Sequence, residues 1–321
     1  MRGRFRKTKR LLFFGAVRGL QALARALPRR WALGAFAAIG GLVRRVDRPA
    51  VRRSRRHLEM ALGPDLSAGE RDRIVDGMFR ATGRNLVDLL RAPSGDDHAD
   101  LVRFEGLAHL DAALSRGRGV VALGAHLGNW EILGAALAGR GYPVHVVARE
   151  IFDARSNRLL NDWRRGNGVR VHPKRDGLLA ATRALRTGAV LGTLVDQDTG
   201  GPSVFVDFFA RPARTPRAPF VLARRTGASL VPITVRLDER GVHRVTVEPA
   251  LPRRDGTDAE SALRADVAEW HRILEAAIRR APEQWVWHHR RWKSAPAVAL
   301  PRGPRAGRRG RPGRVITLQG R

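Results

Sequence analysis

The segment VVALGAHLGNWE, residues Val120–Glu131, predicts a core strand of the fold and contains the first candidate catalytic residues. Its first four residues are apolar and follow a Gly-Arg-Gly segment, which predicts a buried strand that ends near Gly124. Asn129 stands where a helix N-cap belongs, ahead of an apolar run with helical spacing. His126 is therefore predicted to lie in a loop between a strand and a helix.

His126 and Glu131 form an H-x4-E pattern. Five residues along one helix would place the two side chains about 140° apart, whereas a loop followed by a first helical turn lets them meet. A neutral imidazole with a carboxylate on its far nitrogen has a fixed tautomer and a stabilised cation. We expect Glu131 to orient His126 as a general base. Alternatively, Glu131 is only an acid favoured at a helix N-terminus and His126 a hydrogen-bonded loop histidine.

Composition limits the classes of partner and chemistry. The chain has 321 residues, of which 43% are hydrophobic, so one large domain with appendages is expected. Its formal charge of +30 predicts an anionic partner such as nucleic acid, a membrane surface or a phosphorylated substrate. The chain has no cysteine, which excludes disulfides, thiolate metal sites and a cysteine acyl-enzyme.

The N-terminal segment, residues 1–45, predicts contact with a membrane. A basic cluster precedes Leu11–Val17, and arginines then recur at helical spacing among apolar residues, which indicates an amphipathic helix. The next apolar stretch, Trp31–Val43, has 13 residues, against the roughly 20 that span a bilayer. We expect these helices to lie on anionic lipid, with the basic end cytoplasmic. The alternative is that they dock on the protein's own core.

Residues 46–295 are predicted to form an α/β domain, with a central, mostly parallel or mixed sheet flanked by helices. A capping box at Ser67–Glu70 precedes a helix that is expected to reach about Leu90. The tail, residues 296–321, is rich in Arg, Pro and Gly and is predicted to be disordered. Strands are expected at Val144–Ala148, Val190–Val195, Ser229–Val235 and Val242–Val247, and helices at Ser156–Arg165, Leu178–Arg186, Pro216–Thr226 and Ala259–Arg280.

Five segments, in order along the chain, carry a family resemblance. They are GAHLGNWE (124–131), VVAREIFDARSNRLLNDWRRGNGVRV (146–171), LVDQDTGGPSVFVDFF (194–209), TGASLVPITV (226–235) and PEQWVWHHRRWK (282–293). In these segments the sequence resembles the bacterial lipid A late acyltransferases of the lysophospholipid acyltransferase superfamily. The resemblance implies a glycerol-3-phosphate-acyltransferase-like fold. One departure is His57, which stands where the family's early Asn-Leu pair has Asn.

The resemblance also implies a reaction, in which a fatty acyl group passes from a thioester to a hydroxyl of a phosphorylated glycolipid. The implied donor is acyl carrier protein, with coenzyme A left open, and a basic surface suits the acidic carrier protein. A lipid A precursor is the first acceptor expected. The similar acyltransferases that act on phosphatidylinositol mannosides share the HLGNW-acid pattern and give the alternative acceptor. No cofactor is implied, and the expected location is the cytoplasmic face of the bacterial inner membrane.

The acyl transfer can proceed without a covalent enzyme intermediate. A thioester is attacked directly if an alcohol is deprotonated beside it, so His126 with Glu131 is sufficient. The tetrahedral oxyanion then needs hydrogen-bond donors, and the backbone amides near Gly128 and Asn129 are candidates.

Three further residues match functional positions of the family, and a fourth lies beside one of them. Arg149 and Arg164 stand where the family carries arginine, and either could hold a substrate phosphate bidentately. Asp196 matches an acid expected in the active site, where it could fix an arginine, and Asp198 lies beside it after the same apolar strand.

Other interpretations of these residues stay open. Asp196 and Asp198 could bind a divalent metal with a sugar nucleotide, although two acids alone are a weak metal site. His288 and His289, among tryptophans and arginines, could be metal ligands or a nucleic-acid stacking patch, but we expect packing and a membrane-facing surface. A basic nucleic-acid-binding protein is the alternative class. The chain carries no recognised nucleic-acid motif, so we expect neither nucleic acid nor a bound metal.

Overall fold

The computed structural model describes residues 2–91, 98, 100–148, 150–254, 256 and 258–294. The segment predicted to be disordered, 296–321, lies outside the described residues. Helices are α1 Arg2–Ala26, α2 Arg29–Val46, α3 Arg48–Leu62, α4 Ala68–Arg91, α5 Leu107–Leu114, α6 Trp130–Gly139, α7 Ala154–Gly166, α8 Gly177–Arg186, α9 Ala218–Thr226 and α10 Ala259–Arg280. Short 3-10 turns cover Gly63–Asp65 and Pro282–Gln284.

The strands form a mixed sheet and a separate hairpin. They are β1 Val102–Glu105, β2 Val120–Gly124, β3 Val144–Ala148, β4 Arg170–Pro173, β5 Val190–Leu194, β6 Ser203–Phe208, β7 Arg211–Pro216, β8 Ser229–Leu237 and β9 His243–Val247. The seven-stranded sheet has the order β1-β9-β8-β2-β5-β3-β4, and β6 pairs with β7. Within the sheet, β8 and β9 are antiparallel and the other pairs are parallel. The predicted α/β class with a central sheet flanked by helices is confirmed.

Strand β2 lies at the centre of the sheet. All five of its residues are buried, and β8 and β5 flank it as parallel neighbours. One face of the sheet packs on α6 through Ile132, Ala135 and Ala136, and the opposite core is closed by α10 and the C-terminal tryptophans. The predicted end of this strand at Gly124 is confirmed.

Local signals in the sequence set several helix boundaries. The capping box forms as predicted, because the Ser67 backbone N–H donates to Glu70 Oε2 at 2.8 Å and the Glu70 N–H donates to Ser67 Oγ at 3.3 Å. Asn129 Oδ1 caps α6 by accepting the Ile132 N–H at 3.2 Å. The predicted bounds of α10 are those of the structure. The elements that the sequence analysis did not anticipate are short: β1, α5, β4, β6 and β7.

The N-terminal helices are attached to the body of the protein. Gly40 of α2 and Gly83 of α4 bring the two backbones into contact, since a Cβ at either glycine would lie 2.1 Å from a carbonyl oxygen of the other helix. A buried carboxylate adds a polar connection: Asp88 accepts hydrogen bonds from Arg29 at 2.7 and 2.8 Å and from His243 at 2.8 Å. Burial alone would raise the pKa of Asp88, but these two partners lower it to about 2.

Among the described residues, none of the helices combines the length and apolar character that crossing a membrane requires.

Candidate active site

The loop that follows β2 is held by the C-terminal segment of the chain. The Val286 N–H donates to the His126 carbonyl at 3.1 Å, and the Gly128 N–H donates to the Gln284 carbonyl at 3.1 Å. Leu127 and Trp285 thus form an isolated antiparallel bridge. This pairing fixes the backbone of the loop at the carboxyl end of the central strand.

Gly128 is required at its position in the loop. Its φ is +61°, and a Cβ there would lie 2.2 Å from the Val235 carbonyl oxygen. The Gly128 N–H, expected to stabilise an oxyanion, is instead used by Gln284. Asn129 is buried, and its side chain caps α6 and donates to the Asn85 carbonyl at 2.7 Å. Both residues therefore shape the loop.

His126 pairs with Asp196, not with Glu131. Its Nδ1 lies 2.7 Å from Asp196 Oδ1, and its backbone N–H donates to Asp196 Oδ2 at 2.8 Å. Trp285 Nε1 also donates to Oδ2, at 2.9 Å. The Asp196 side chain is completely buried, whereas 15% of the His126 side chain is exposed. The expectation that Asp196 fixes an arginine is wrong in this structure.

The environment of Asp196 sets the tautomer of His126. Burial would raise the pKa of Asp196, but the His126 ring and the hydrogen bonds from His126 and Trp285 outweigh burial and hold it well below its usual range. An ionised carboxylate only accepts hydrogen bonds, so the proton of the neutral imidazole lies on Nδ1. The Nε2 lone pair is left to act as a base.

Glu131 has a different partner, which corrects its expected role as the orienter of His126. Arg164 Nε donates to Glu131 Oε2 at 2.8 Å, and Arg164 Nη2 donates to Oε1. Arg164 lies in α7 and also binds the side chain of Asn161. The first turn of α6 therefore directs Glu131 toward α7, and both side chains are mostly buried there. Arg149, the other predicted phosphate ligand, lies outside the described residues.

Asp198 has partners other than His126. Its side chain is 1% exposed, its Oδ2 accepts the Ser294 N–H at 2.8 Å, and its Oδ1 is 3.6 Å from Arg214 Nη1. Asp198 thus holds the C-terminal segment. Among the described residues, the structure contains no group of three or more His, Cys, Asp and Glu residues that could hold a metal ion.

The Trp-His-Arg segment is largely buried, which confirms the expected packing, although Arg290 and Lys293 are exposed. Trp285, Trp287 and Arg291 are fully buried. His57, the family departure, is also buried, and its Nδ1 donates to the Trp287 carbonyl at 2.8 Å. The segment packs between α3 and the loop of His126.

Two residues near His126 were not placed in the catalytic site by sequence reasoning: Gln197 was given no role, and His289 was considered only for metal binding, stacking or packing. Gln197 Nε2 lies 3.2 Å from His126 Nε2 and 2.9 Å from His289 Nδ1. The His126 and His289 rings meet edge to face with centroids 4.6 Å apart. Both residues belong to segments that carry the family resemblance, so their positions were visible in the sequence although their proximity was not.

A cavity of about 530 Å³ opens beside His126. It lies between α6 and the strands β2, β5 and β3, and its walls are almost entirely apolar. The polar side chains in its lining are His126, Glu131, Arg164 and Thr193. The three phenylalanines of the 194–209 segment do not line it, and two of them, Phe208 and Phe209, are buried in the core.

Comparison with known proteins assigns the family. Residues 2–294 match the model of the bacterial lipid A biosynthesis acyltransferases. The chain belongs to this family. As a member of this family, the protein is an O-acyltransferase. The family therefore favours the enzyme class over the nucleic-acid-binding class.

Relatives of the acyltransferase have been named in several bacteria. The lipid A biosynthesis palmitoleoyltransferase of Escherichia coli K12 is 30% identical over 80% of this chain and 85% of its own. The lauroyltransferase of the same organism is 30% identical over 75% of this chain and 78% of its own. A phosphatidylinositol mannoside acyltransferase of Mycobacterium tuberculosis is 30% identical over 68% of this chain and 74% of its own. The 1-acyl-sn-glycerophosphate acyltransferase from Thermotoga maritima superposes over 79% of this chain and 99% of its own, with a TM-score of 0.37 and 13% identity.

We predict that Asp196→Asn impairs this acyltransferase through the base. An amide cannot stabilise the imidazolium, so kcat should fall on the order of 10³–10⁴-fold and the acid limb of the pH–rate profile should move to lower pH. Glu131→Gln is the matched control, because its charge is balanced by Arg164 and not presented to His126. A pH profile that moves in Glu131→Gln and stays in place in Asp196→Asn would contradict the observed pairing.

Proposed function

We propose that the protein transfers a fatty acyl group from acyl carrier protein to a hydroxyl of a lipid A precursor, with His126 as the general base. The observation that carries the proposal is the His126–Asp196 pair at the polar end of an apolar cavity. The pair supplies a base with a fixed tautomer, and the cavity offers apolar walls to an acyl chain.

The proposed reaction needs one base and no covalent enzyme intermediate. His126 Nε2 removes the proton of the acceptor hydroxyl as its oxygen attacks the thioester carbonyl carbon. The tetrahedral oxyanion that forms then collapses, the C–S bond breaks, and the imidazolium returns the proton to the departing thiolate. Asp196 stabilises the imidazolium between these two proton transfers. Arg164 and Glu131 line the cavity beside the base, where we propose that they contact substrate.

The charge of the protein and the names of its relatives support the choice of donor and acceptor. The net charge of +30 favours the acidic carrier protein as donor over coenzyme A alone. The names of the two Escherichia coli relatives favour a lipid A precursor as acceptor. The mycobacterial relative, at the same 30% identity, supports a phosphatidylinositol mannoside as the second candidate.

A direct assay tests the function. Purified protein should transfer radiolabelled acyl groups from acyl carrier protein to a lipid A precursor, faster than to a phosphatidylinositol mannoside and faster than from the corresponding acyl-coenzyme A. His126→Ala should lower kcat by at least 10²-fold, because general-base catalysis contributes about that much. Transfer to the mannoside alone would show that the acceptor is a phosphatidylinositol mannoside. Equal activity of wild type and His126→Ala would contradict the role of His126 as the base.

Chain-length preference tests the role of the cavity. Gly134 of α6 lines the cavity, and the atom nearest to an added Cβ is Val169 Cγ2 at 3.9 Å, so a larger side chain can occupy the space. Gly134→Leu should lower kcat/KM for the longest accepted donors by roughly 10- to 100-fold, since overpacking costs about 1–3 kcal/mol, and spare shorter ones. Gly69→Leu in α4, where the added side chain meets open space, is the control. An unchanged donor profile in Gly134→Leu would exclude this cavity as the acyl site.

We further propose that α1 and α2 rest on the cytoplasmic face of the inner membrane. α2 buries Phe36 and Ala37 against the body but exposes large apolar side chains on its outer face. Trp31 is 62% exposed, Leu42 58% and Val46 72%. Arg30 and Arg45 are exposed on the same helix and suit anionic lipid headgroups.

Vesicle binding tests the membrane proposal. Trp31→Ser with Leu42→Ser should weaken binding to vesicles that contain anionic phospholipid at least tenfold, because each large apolar side chain contributes about 1.5–3 kcal/mol when buried. The matched control is Leu178→Ser with Leu179→Ser on α8, where the leucines are 65% and 56% exposed. Equal losses in both double variants, or no loss in the first, would argue against α2 as the docking face.

A further inference from the structure

The Gln197 amide lies against the ring of the base, and the catalytic steps above do not use it. With the His126 proton held on Nδ1 by Asp196, the lone pair on Nε2 can accept a hydrogen bond. The Gln197 amide nitrogen, which carries two donor hydrogens, lies 3.2 Å from that Nε2. The same nitrogen is also 3.5 Å from His126 Nδ1, so the amide lies over the face of the ring and leaves the in-plane lone pair of Nε2 open to the substrate hydroxyl.

His289 provides the second anchor of the amide. Its Nδ1 lies 2.9 Å from Gln197 Nε2. Burial, with a further contribution from His126, lowers the pKa of His289 to about 3, so its ring is neutral and can present a lone pair. The same amide nitrogen is 3.2 Å from His289 Nε2, so it lies over the face of this ring too, and the Gln197 amide is held between two imidazoles, only one of which is the base.

We propose that Gln197 is a catalytic residue that donates a hydrogen bond to the oxyanion of the tetrahedral intermediate, and that His289 is the positioning residue that aims its amide. The inference rests on the proposed acyl transfer. It assigns one residue to stabilisation of charge in the transition state, a role distinct from that of the His126 base.

The distances support this role. The attacking hydroxyl must lie about 2.6–3.2 Å from His126 Nε2, in line with its lone pair, and therefore beside the Gln197 amide. The carbonyl carbon bonds to that hydroxyl oxygen, which places the oxyanion two bonds from the hydroxyl oxygen. The Gln197 amide, held between the His126 and His289 rings and 3.2 Å from His126 Nε2, is a donor beside that position.

Three neighbouring donor groups already have partners. The Gly128 N–H donates to Gln284, and the Asn129 side-chain amide donates to Asn85. The guanidinium of Arg164 is engaged by Glu131 and Asn161.

The test compares Gln197→Met, which keeps the size of the side chain and removes both donors, with wild type. The kcat for acyl transfer from acyl carrier protein should fall about 10²–10³-fold, the loss typical of one oxyanion donor. KM should stay within about threefold, because the interaction forms only in the transition state. Gln197→Glu, similar in shape but negatively charged, should lose at least as much. Thermal unfolding and far-UV circular dichroism establish that each variant is folded.

His289 variants test the positioning role. His289→Ala should lower kcat with KM unchanged, and His289→Asn should recover part of the loss, because an asparagine Oδ1 can accept the Gln197 N–H. His172→Ala, on the edge strand β4, is the matched control and should retain wild-type kcat. A histidine that only packs would give equal losses in the Ala and Asn variants, which would overturn the positioning role.

The outcomes separate this inference from the proposed function. If wild type shows no acyl transfer, the proposed function fails. If wild type is active and Gln197→Met retains kcat within about threefold, only the oxyanion role fails. A raised KM with unchanged kcat in folded Gln197→Met would assign the residue to ground-state binding and likewise overturn the inference.

Discussion

The parallel pairing of β2 with β5 is the constraint on which the site depends. In this register Gly124 lies opposite Leu194, so the residues two positions further along each chain, His126 and Asp196, emerge side by side at the carboxyl edge of the sheet. Both strands are largely apolar, and burial of the pair between β8 and β3 leaves little freedom for the register to slip. A slip of one residue would reverse the side-chain alternation and separate the base from its carboxylate.

Features set by neighbouring residues could be predicted from the sequence. The end of β2, the Asn129 cap, the Ser67–Glu70 capping box and the whole of α10 follow from periodicity, turn residues and capping, which act over a few positions. Short edge elements such as β1 and β4 escaped prediction, because four residues carry too little periodicity. For β1, the pairing partner β9 also lies far along the chain.

The partner of His126 could not be predicted from spacing, for a physical reason. Glu131 is five residues away and was the natural choice, whereas Asp196 is 70 residues away and becomes a neighbour only because β5 is inserted between β2 and β3. The order of strands in a sheet depends on packing of the whole domain. The same limit applies to Gln197 and His289, which are 92 positions apart. Residue types and their locations at strand ends were readable from the sequence; their contacts were not.

The C-terminal segment has a consequence for the order of biosynthesis. Trp285 donates to Asp196, Val286 holds the His126 carbonyl, and Gln284 receives the Gly128 N–H. Because the chain emerges from the ribosome N-terminus first, the sheet and the cavity can form while the base still lacks these contacts. A nascent or truncated chain that ends before residue 284 would have every sheet strand and an unorganised base. Synthesis of this segment therefore acts as the step that assembles the catalytic geometry.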